Sequence, residues 1–365
     1  MKVRIVIGAN FGDEGKGTVV ATYTKHSFGR VLNILTNGGA QRAHSILTED
    51  GSYTFQHFGS GTMYGADNYY SQFYILNPMQ FVKEYEQLKP IGRIFRNPDC
   101  IWSTPYDMIA NAIIEELRGS DKHGSCGMGI WETIQRSKVY NVNFDYFCNG
   151  TYKFRVMYLE RIRKYYEMKI GSIPEKWQGI WNDPNMVIHF INDCFYLYRK
   201  AIPASFEYLI GPFGNYDEVI FENGQGLMLS DVGLDIPGTT PSFTGIRDSL
   251  DILNSIDQKY DLSVHYVTRP YLTRHGRGFL YKESNRFILS SSVNEDRTNH
   301  YNEFQDDFRY GFLEINELRD RIMDDFGNTN AKLILEVTHC DEMDRLEEFK
   351  KYFSNINTYD SALIK

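Results

Sequence analysis

Short apolar blocks that end on glycine recur along this chain, and they set its predicted architecture. Val3 to Ile7 reads as a buried strand; a glycine-rich loop follows, and the stretch from Thr18 to Lys25 suits the start of a helix. Val31 to Leu35 ends at Asn37-Gly38-Gly39, Val219 to Phe221 ends at Glu222-Asn223-Gly224-Gln225-Gly226, and Leu333 to Val337 runs into Thr338-His339-Cys340-Asp341. Strand followed by glycine is the grammar of ligand-binding loops at the carboxyl ends of parallel strands. Helices are predicted over Pro78 to Leu88, Tyr106 to Arg118 and Phe154 to Met168, the last as an amphipathic packing helix rich in aromatic and basic residues. No fixed-period repeat, low-complexity tract or long Pro/Ser linker interrupts the pattern. The expectation is a single α/β unit over residues 1–365, with a P-loop-like, mostly parallel central sheet, helices on both faces and a mainly helical insertion around residues 100–210.

Composition narrows the function more than the fold. With 42% hydrophobic and 24% charged residues the chain matches an ordinary globular protein, which leaves neither disorder nor a fibrous architecture as an expectation. A formal net charge of −8 argues against general affinity for nucleic acid or an anionic membrane, so a small-molecule partner is expected. The cysteines, Cys100, Cys126, Cys148, Cys194 and Cys340, form no CxxC pair and are odd in number, which fits reduced thiols and a cytoplasmic location. The N-terminal apolar run is too short for a signal peptide, and no stretch approaches the ~20 apolar residues of a membrane span.

The chemistry concentrates in the first loop, Gly8-Ala9-Asn10-Phe11-Gly12-Asp13-Glu14-Gly15-Lys16-Gly17-Thr18. Glycines let backbone N–H groups close on phosphate oxygens, the following helix offers its positive end, and Lys16 adds a point charge. Asn10 stands where a Walker A motif needs its first glycine, so the loop shares the physics of a P-loop without matching its pattern. An acid inside such a loop also suits a magnesium ligand or a general base.

The string Gly12-Asp13-Glu14-Gly15-Lys16-Gly17 resembles the signature loop of adenylosuccinate synthetases, and further segments follow in that family's order. Asn37-Gly38-Gly39-Ala40-Gln41-Arg42-Ala43-His44-Ser45 resembles GGHNAGHT, Gln56-His57-Phe58-Gly59-Ser60-Gly61 resembles HLIPSG, and Gly124-Ser125-Cys126-Gly127-Met128-Gly129-Ile130 resembles GTTGRGI. Phe221 to Gly226 resembles FEGAQG, Thr273 to Gly278 resembles TRVGAG, and Thr338 to Asp341 resembles TKLD. The resemblance implies a ligase that uses a purine nucleoside triphosphate and Mg²⁺ to phosphorylate O6 of a 6-oxopurine nucleoside monophosphate, and then replaces that phosphate with L-aspartate. It makes Asp13 the base at N1–H, His44 a proton donor near O6 and the γ-phosphate, and Lys16 the cation on the phosphoryl group in flight. It places Mg²⁺ on Asp13 and the Ala43 carbonyl. Gly12, Glu14, Gly15, Gly17, Thr18, Gln41, Ser125, Cys126 and Thr240 fall to phosphate and nucleotide binding, Gln225 to the purine, and Asp341 to the base of the triphosphate. Arg136 matches either an arginine given across a homodimer interface or a solvated surface arginine, and His57 is open between a structural hydrogen bond and a substrate contact.

Departures from the family gather around the acceptor nucleotide. Ala40, Gln41 and Arg42 replace His, Asn and Ala of GGHNAGHT, and Cys126 replaces a phosphate-binding threonine. The arginine-rich TTGRRRRTGW loop is missing; Arg297, Thr298 and Arg309 are the residues left to grip the carboxylates of aspartate. Conserved phosphoryl-transfer residues beside an altered acceptor pocket favour the phage branch that ligates aspartate to dGMP for 2-aminoadenine synthesis, although that branch often replaces the acid at Asp13. The alternatives are IMP with GTP, a regulator that binds nucleotide without catalysis, and a phosphotransferase that uses no aspartate.

Overall fold

The computed structural model describes residues 1–48, 51–211, 216–230, 238–293 and 307–360. Its strands in chain order are β1 (Lys2–Gly8), β2 (Val31–Leu35), β3 (His44–Thr48), β4 (Gly51–Phe55), β5 (Asp67–Tyr70), β6 (Ile94–Arg96) and β7 (Ala201–Pro203). They continue as β8 (Glu218–Gly226), β9 (Asp261–Thr268), β10 (Leu272–His275), β11 (Glu283–Ser284), β12 (Phe308–Gly311), β13 (Lys332–Val337) and β14 (Ile356–Thr358).

Nine of these strands form one sheet in the order β14-β13-β9-β1-β8-β2-β5-β6-β7, and every neighbouring pair in it runs parallel. β1 lies between β8 and β9 with both faces covered, which is why Val3, Ile5, Val6 and Ile7 are all 0% exposed. Because the strands are parallel, the loops after β1, β2, β8, β9 and β13 open on one edge. The chain also crosses from one side of β1 to the other between β8 and β9, the topological position at which open α/β sheets bind ligands. β8 runs further than its apolar residues predicted. Gly226 pairs with Gly8 after a register shift, so the Asn223 to Gly226 segment expected to be a loop is strand, with Gln225 at φ 67°.

The helices begin where their capping chemistry allows. α1 (Lys16–Lys25) starts two residues ahead of the expected Thr18, after Gly15 in the left-handed conformation and with no side-chain cap, which leaves its first N–H groups for a ligand. α2 (Pro78–Leu88) has Asn77 accepting from Gln80 N, and α3 (Pro105–Arg118) has a full capping box of Thr104 and Asp107. α4 (Ile130–Val139), α5 (Phe144–Asn149), α6 (Tyr152–Ile170), α7 (Glu175–Trp181) and α8 (Pro184–Lys200) complete the stretch between β6 and β7. α6 buries Arg155, Tyr158, Leu159, Ile162 and Tyr166, a stripe at helical spacing. One core gathers around the sheet, with Ile5, Phe221, Val264 and Leu335. A second, strongly aromatic one fills the helical layer around Trp102, Phe147, Tyr166 and Trp181. Among the described residues no helix is long and apolar enough to cross a membrane.

Candidate active site

The loop after β1 is braced from within. Glu14 Oε1 accepts from the backbone N–H of Asn10 at 3.0 Å and of Gly12 at 2.8 Å, while Oε2 lies 3.0 Å from Lys16 Nζ. Glu14 is 2% exposed and its carboxylate is used inside the loop, so it shapes the loop and holds Lys16 where the resemblance implied a contact to phosphate. A Cβ on Gly8 would lie 2.8 Å from the Gln225 backbone oxygen, which leaves no room for a side chain there. Asp13, at φ 60°, follows Gly12 at φ 90°. Three side chains from later in the chain fasten the loop: Arg321 donates to Ala9 O and Asn10 Oδ1, Arg269 to Asp13 O, and Thr338 to Glu14 O.

One cavity receives most of the expected residues. Asp13, Lys16, Gln41, Ala43, His44, Ser125, Cys126, Gln225 and Thr240 line it together with Gly12. Gln41 Nε2 donates to Thr240 Oγ1 at 3.0 Å, which joins the β2 loop to the segment after β8. Ser125 donates to Asn111 Oδ1 at 2.5 Å, and burial pushes the Cys126 thiol up to about 11, so it stays protonated.

His44 is set by a residue that the motif reading passed over. Its Nδ1 lies 2.5 Å from Glu222 Oε1 and 3.1 Å from Arg42 Nη2; Glu222 also accepts from Ser60 Oγ at 2.7 Å and Ser60 N at 2.9 Å, and forms an ion pair with Arg42 at 3.0 Å. Burial raises the Glu222 carboxyl, but Arg42 and the hydrogen bonds from His44 and Ser60 more than offset it and hold it at about 2. An ionised carboxylate only accepts and a guanidinium only donates; the Glu222 contact is the shorter of the two, so it draws the His44 proton to Nδ1 and leaves Nε2 as the second ring atom. Burial and then the Arg42 charge lower His44 to about 4, against the bond to Glu222. The clue in the sequence was an acidic residue closing an apolar strand, Phe221-Glu222. Glu132, in the first turn of α4, was also passed over: it lines the cavity, burial raises it to about 7, and its Oε2 has no hydrogen-bond partner.

Other expected residues lie elsewhere. Gly15, Gly17 and Thr18 belong to the loop and first turn of α1, where a Cβ on Gly17 would meet Ser45 O at 3.1 Å. Arg136 is neither at a surface nor in the cavity. It is 1% exposed and forks onto Asp107 at 2.9 and 3.1 Å, so it is not a solvated arginine, and its guanidinium is paired within its own chain. His57 is 0% exposed, with Tyr70 OH and Asn77 N on its two ring nitrogens, and is a structural residue. Arg309 gives its guanidinium to the Gly276 and Gly278 carbonyls and to Glu283. Asp341 lines a second concavity with Ser290, Glu342 and Arg345. Arg297 and Thr298 lie outside the described residues.

The oxygen donors suit a hard cation. Asp13, a carboxylate residue, and Ala43 line the same cavity as Lys16. That pattern fits Mg²⁺, which is bound by one or two protein oxygens and chiefly by substrate phosphates.

A parallel sheet with an uncapped helix N-terminus, a lysine-bearing glycine loop and a shared cavity at its carboxyl edge defines an α/β protein with the geometry that suits phosphate groups. The family model described as "Adenylosuccinate synthetase" matches residues 5–354, and the chain belongs to that family. It is 26% identical over 290 residues to the adenylosuccinate synthetase of Lactobacillus acidophilus, covering 75% of this chain and 63% of that protein. The enzyme of Blochmanniella pennsylvanica is 25% identical over 295 residues, with the same coverages of 75% and 63%. The chain thus spans about 63% of the length of these curated relatives. Among solved structures, fully ligated adenylosuccinate synthetase from Plasmodium falciparum superposes with a TM-score of 0.73 at 21% identity, over 95% of this chain and 79% of that one. Cyanophage S-2L succinoaminodeoxyadenylate synthetase, bound to dGMP and dATP, superposes with a TM-score of 0.64 at 12% identity, over 99% and 91%. Both likenesses are of fold.

Proposed function

We propose that this protein is a purine nucleotide–aspartate ligase that phosphorylates O6 of a 6-oxopurine nucleoside monophosphate and replaces that phosphate with L-aspartate. The observation that carries this reading is the convergence of Asp13, Lys16, His44 and Gln225 on one cavity, since binding alone would need neither the acid nor the imidazole. In this reading Gln225 holds the base and Asp13 accepts the N1 proton, which makes O6 a nucleophile. Lys16, held by Glu14, stabilises the transferring phosphoryl group, and His44, oriented by Glu222, faces it through Nε2. Mg²⁺ would be held by Asp13 and the Ala43 carbonyl and would supply charge neutralisation for the phosphates.

The acceptor in this reading is dGMP in preference to IMP. Ala40, Gln41 and Arg42 alter the acceptor wall while the phosphoryl-transfer residues stay, and the fold superposes on an enzyme solved with dGMP. Arg297 and Thr298 would bind aspartate, Asp341 the base of the ATP, dATP or GTP, and the enzyme would act in the cytoplasm as a homodimer. The test is phosphate release by the purified protein with dGMP or IMP, each triphosphate, Mg²⁺ and L-aspartate. Release that ignores aspartate in every combination removes the ligase reading. Turnover of IMP with dGMP inert removes only the acceptor assignment.

A further inference from the structure

Asp13 is a non-glycine residue held at φ 60°, a conformation that costs free energy and persists only where neighbours over-determine it. The neighbour in question is Arg269, the first residue beyond β9, which is 5% exposed and donates from Nε to Asp13 O at 2.8 Å. Arg269 is itself held: its Nη1 donates to Tyr271 OH at 3.4 Å, its guanidinium stands 5.9 Å from the Tyr271 ring and 5.7 Å from that of Phe308, and Tyr271 OH donates to Glu342 Oε2. Tyr271 and Glu342 are 1% and 6% exposed, so water competes little for these bonds. Glu342 lines the concavity that holds Asp341.

We propose that Arg269 is a positioning residue that fixes the left-handed backbone of Asp13 and so aims its carboxylate into the cavity, and that Tyr271 and Glu342 hold Arg269 for this task. The relay ends beside Asp341, where the ligase reading places the base of the triphosphate, and to that extent it rests on that reading. The chemical logic is geometric: a misplacement of about 1 Å at a reacting group costs on the order of 100-fold in rate without weakening substrate binding.

The test joins kinetics with backbone amide exchange. Arg269→Ala should lower kcat about 10- to 100-fold while KM for both nucleotides stays within about threefold, and guanidinium ion or Arg269→Lys should restore part of the loss. In the absence of any substrate, the amides from Gly12 to Glu14 should exchange faster in Arg269→Ala and Arg269→Lys than in the wild type. Tyr271→Phe should cause a smaller loss, and the double variant should be no worse than Arg269→Ala alone. Unchanged exchange at Gly12 to Glu14, or a rise in KM with kcat intact, overturns the role of Arg269; additive losses in the double variant overturn the relay. Amide exchange needs no turnover, so failure of the ligase reading and failure of this inference are read separately.

Discussion

Two buried arginine–carboxylate pairs divide this molecule, and they differ in how completely they are satisfied. In the helical layer, Arg136 forks onto Asp107 and also donates to Trp102 O, Tyr140 O and Tyr158 OH, while Asp107 accepts in addition from Thr104 and Tyr166. At the cavity, Arg42 meets Glu222 at 3.0 Å, but its Nη1 has no hydrogen-bond partner, and Glu222 is shared with His44 and Ser60. Both arginines are 1–2% exposed, so burial does not separate them. A saturated network specifies a core; an incompletely satisfied one beside a cavity keeps interaction capacity for something else. A stem on Gly224 would crowd Arg42, since a Cβ there lies 3.2 Å from Arg42 Cγ, so the glycine after Asn223 makes room for this unsaturated arginine.

The comparison is sharpened first at the cavity. Asp13→Asn keeps a residue that tolerates the left-handed backbone but removes the base, and should lower aspartate-dependent phosphate release about 1,000-fold with an unchanged melting curve. Full activity in that variant would remove Asp13 from the chemistry. The core pair should respond in the opposite way. Arg136→Met leaves Asp107 buried without its cation and should cost about 3–5 kcal/mol in denaturant unfolding, with kcat kept in the fraction that remains folded. A change below about 1 kcal/mol would mean that the saturated network is not a stability element. Third, Glu222→Gln should let His44 take either tautomer and lower kcat about 10- to 100-fold, with a smaller loss of stability than Arg136→Met. If stability falls more than activity, the two pairs are alike and the contrast is lost.

The same contrast explains what was legible in the sequence. β1, β2 and β13 were readable because buried parallel strands are short apolar runs, and α2 because Pro78 and the Asn77 cap mark its start. Asp13, Lys16, His44 and Gln225, singled out through motifs that resemble the family's, line one cavity, and each lies within a few residues of a glycine. Long-range partners were not legible. Glu222 reaches His44 across 178 residues and Arg269 reaches Asp13 across 256, and no periodicity encodes such pairs. Arg136 was misplaced for the same reason: its acid lies 29 residues earlier in the preceding helix, and only the packing of α4 on α3 brings them together. Likewise Arg309, the expected aspartate ligand, is claimed by carbonyls 31 and 33 residues away.

The smallest expected effect compares two of the buried histidines, His44 at the cavity and His57 in the core. Burial is the main cause for both, and the Arg42 charge adds to it; His44 falls to about 4 and His57 to about 3, from an ordinary 6.5. A lowered folded-state value means that the unfolded chain binds the proton first. Each histidine therefore contributes stability above pH 6.5 that is lost as the pH falls toward its folded value, with a limiting slope of about 1.4 kcal/mol per pH unit for one proton. Glu84, raised by burial to about 7, acts in the opposite sense over part of this range, so the informative quantity is a difference between variants. His57→Gln should flatten the fall in unfolding free energy between pH 6.5 and 4 by about one proton relative to the wild type, and leave kcat within about twofold. An equal slope in both proteins would show that His57 is protonated in the fold. A kcat loss as large as that of Glu222→Gln would move His57 from the core to the chemistry.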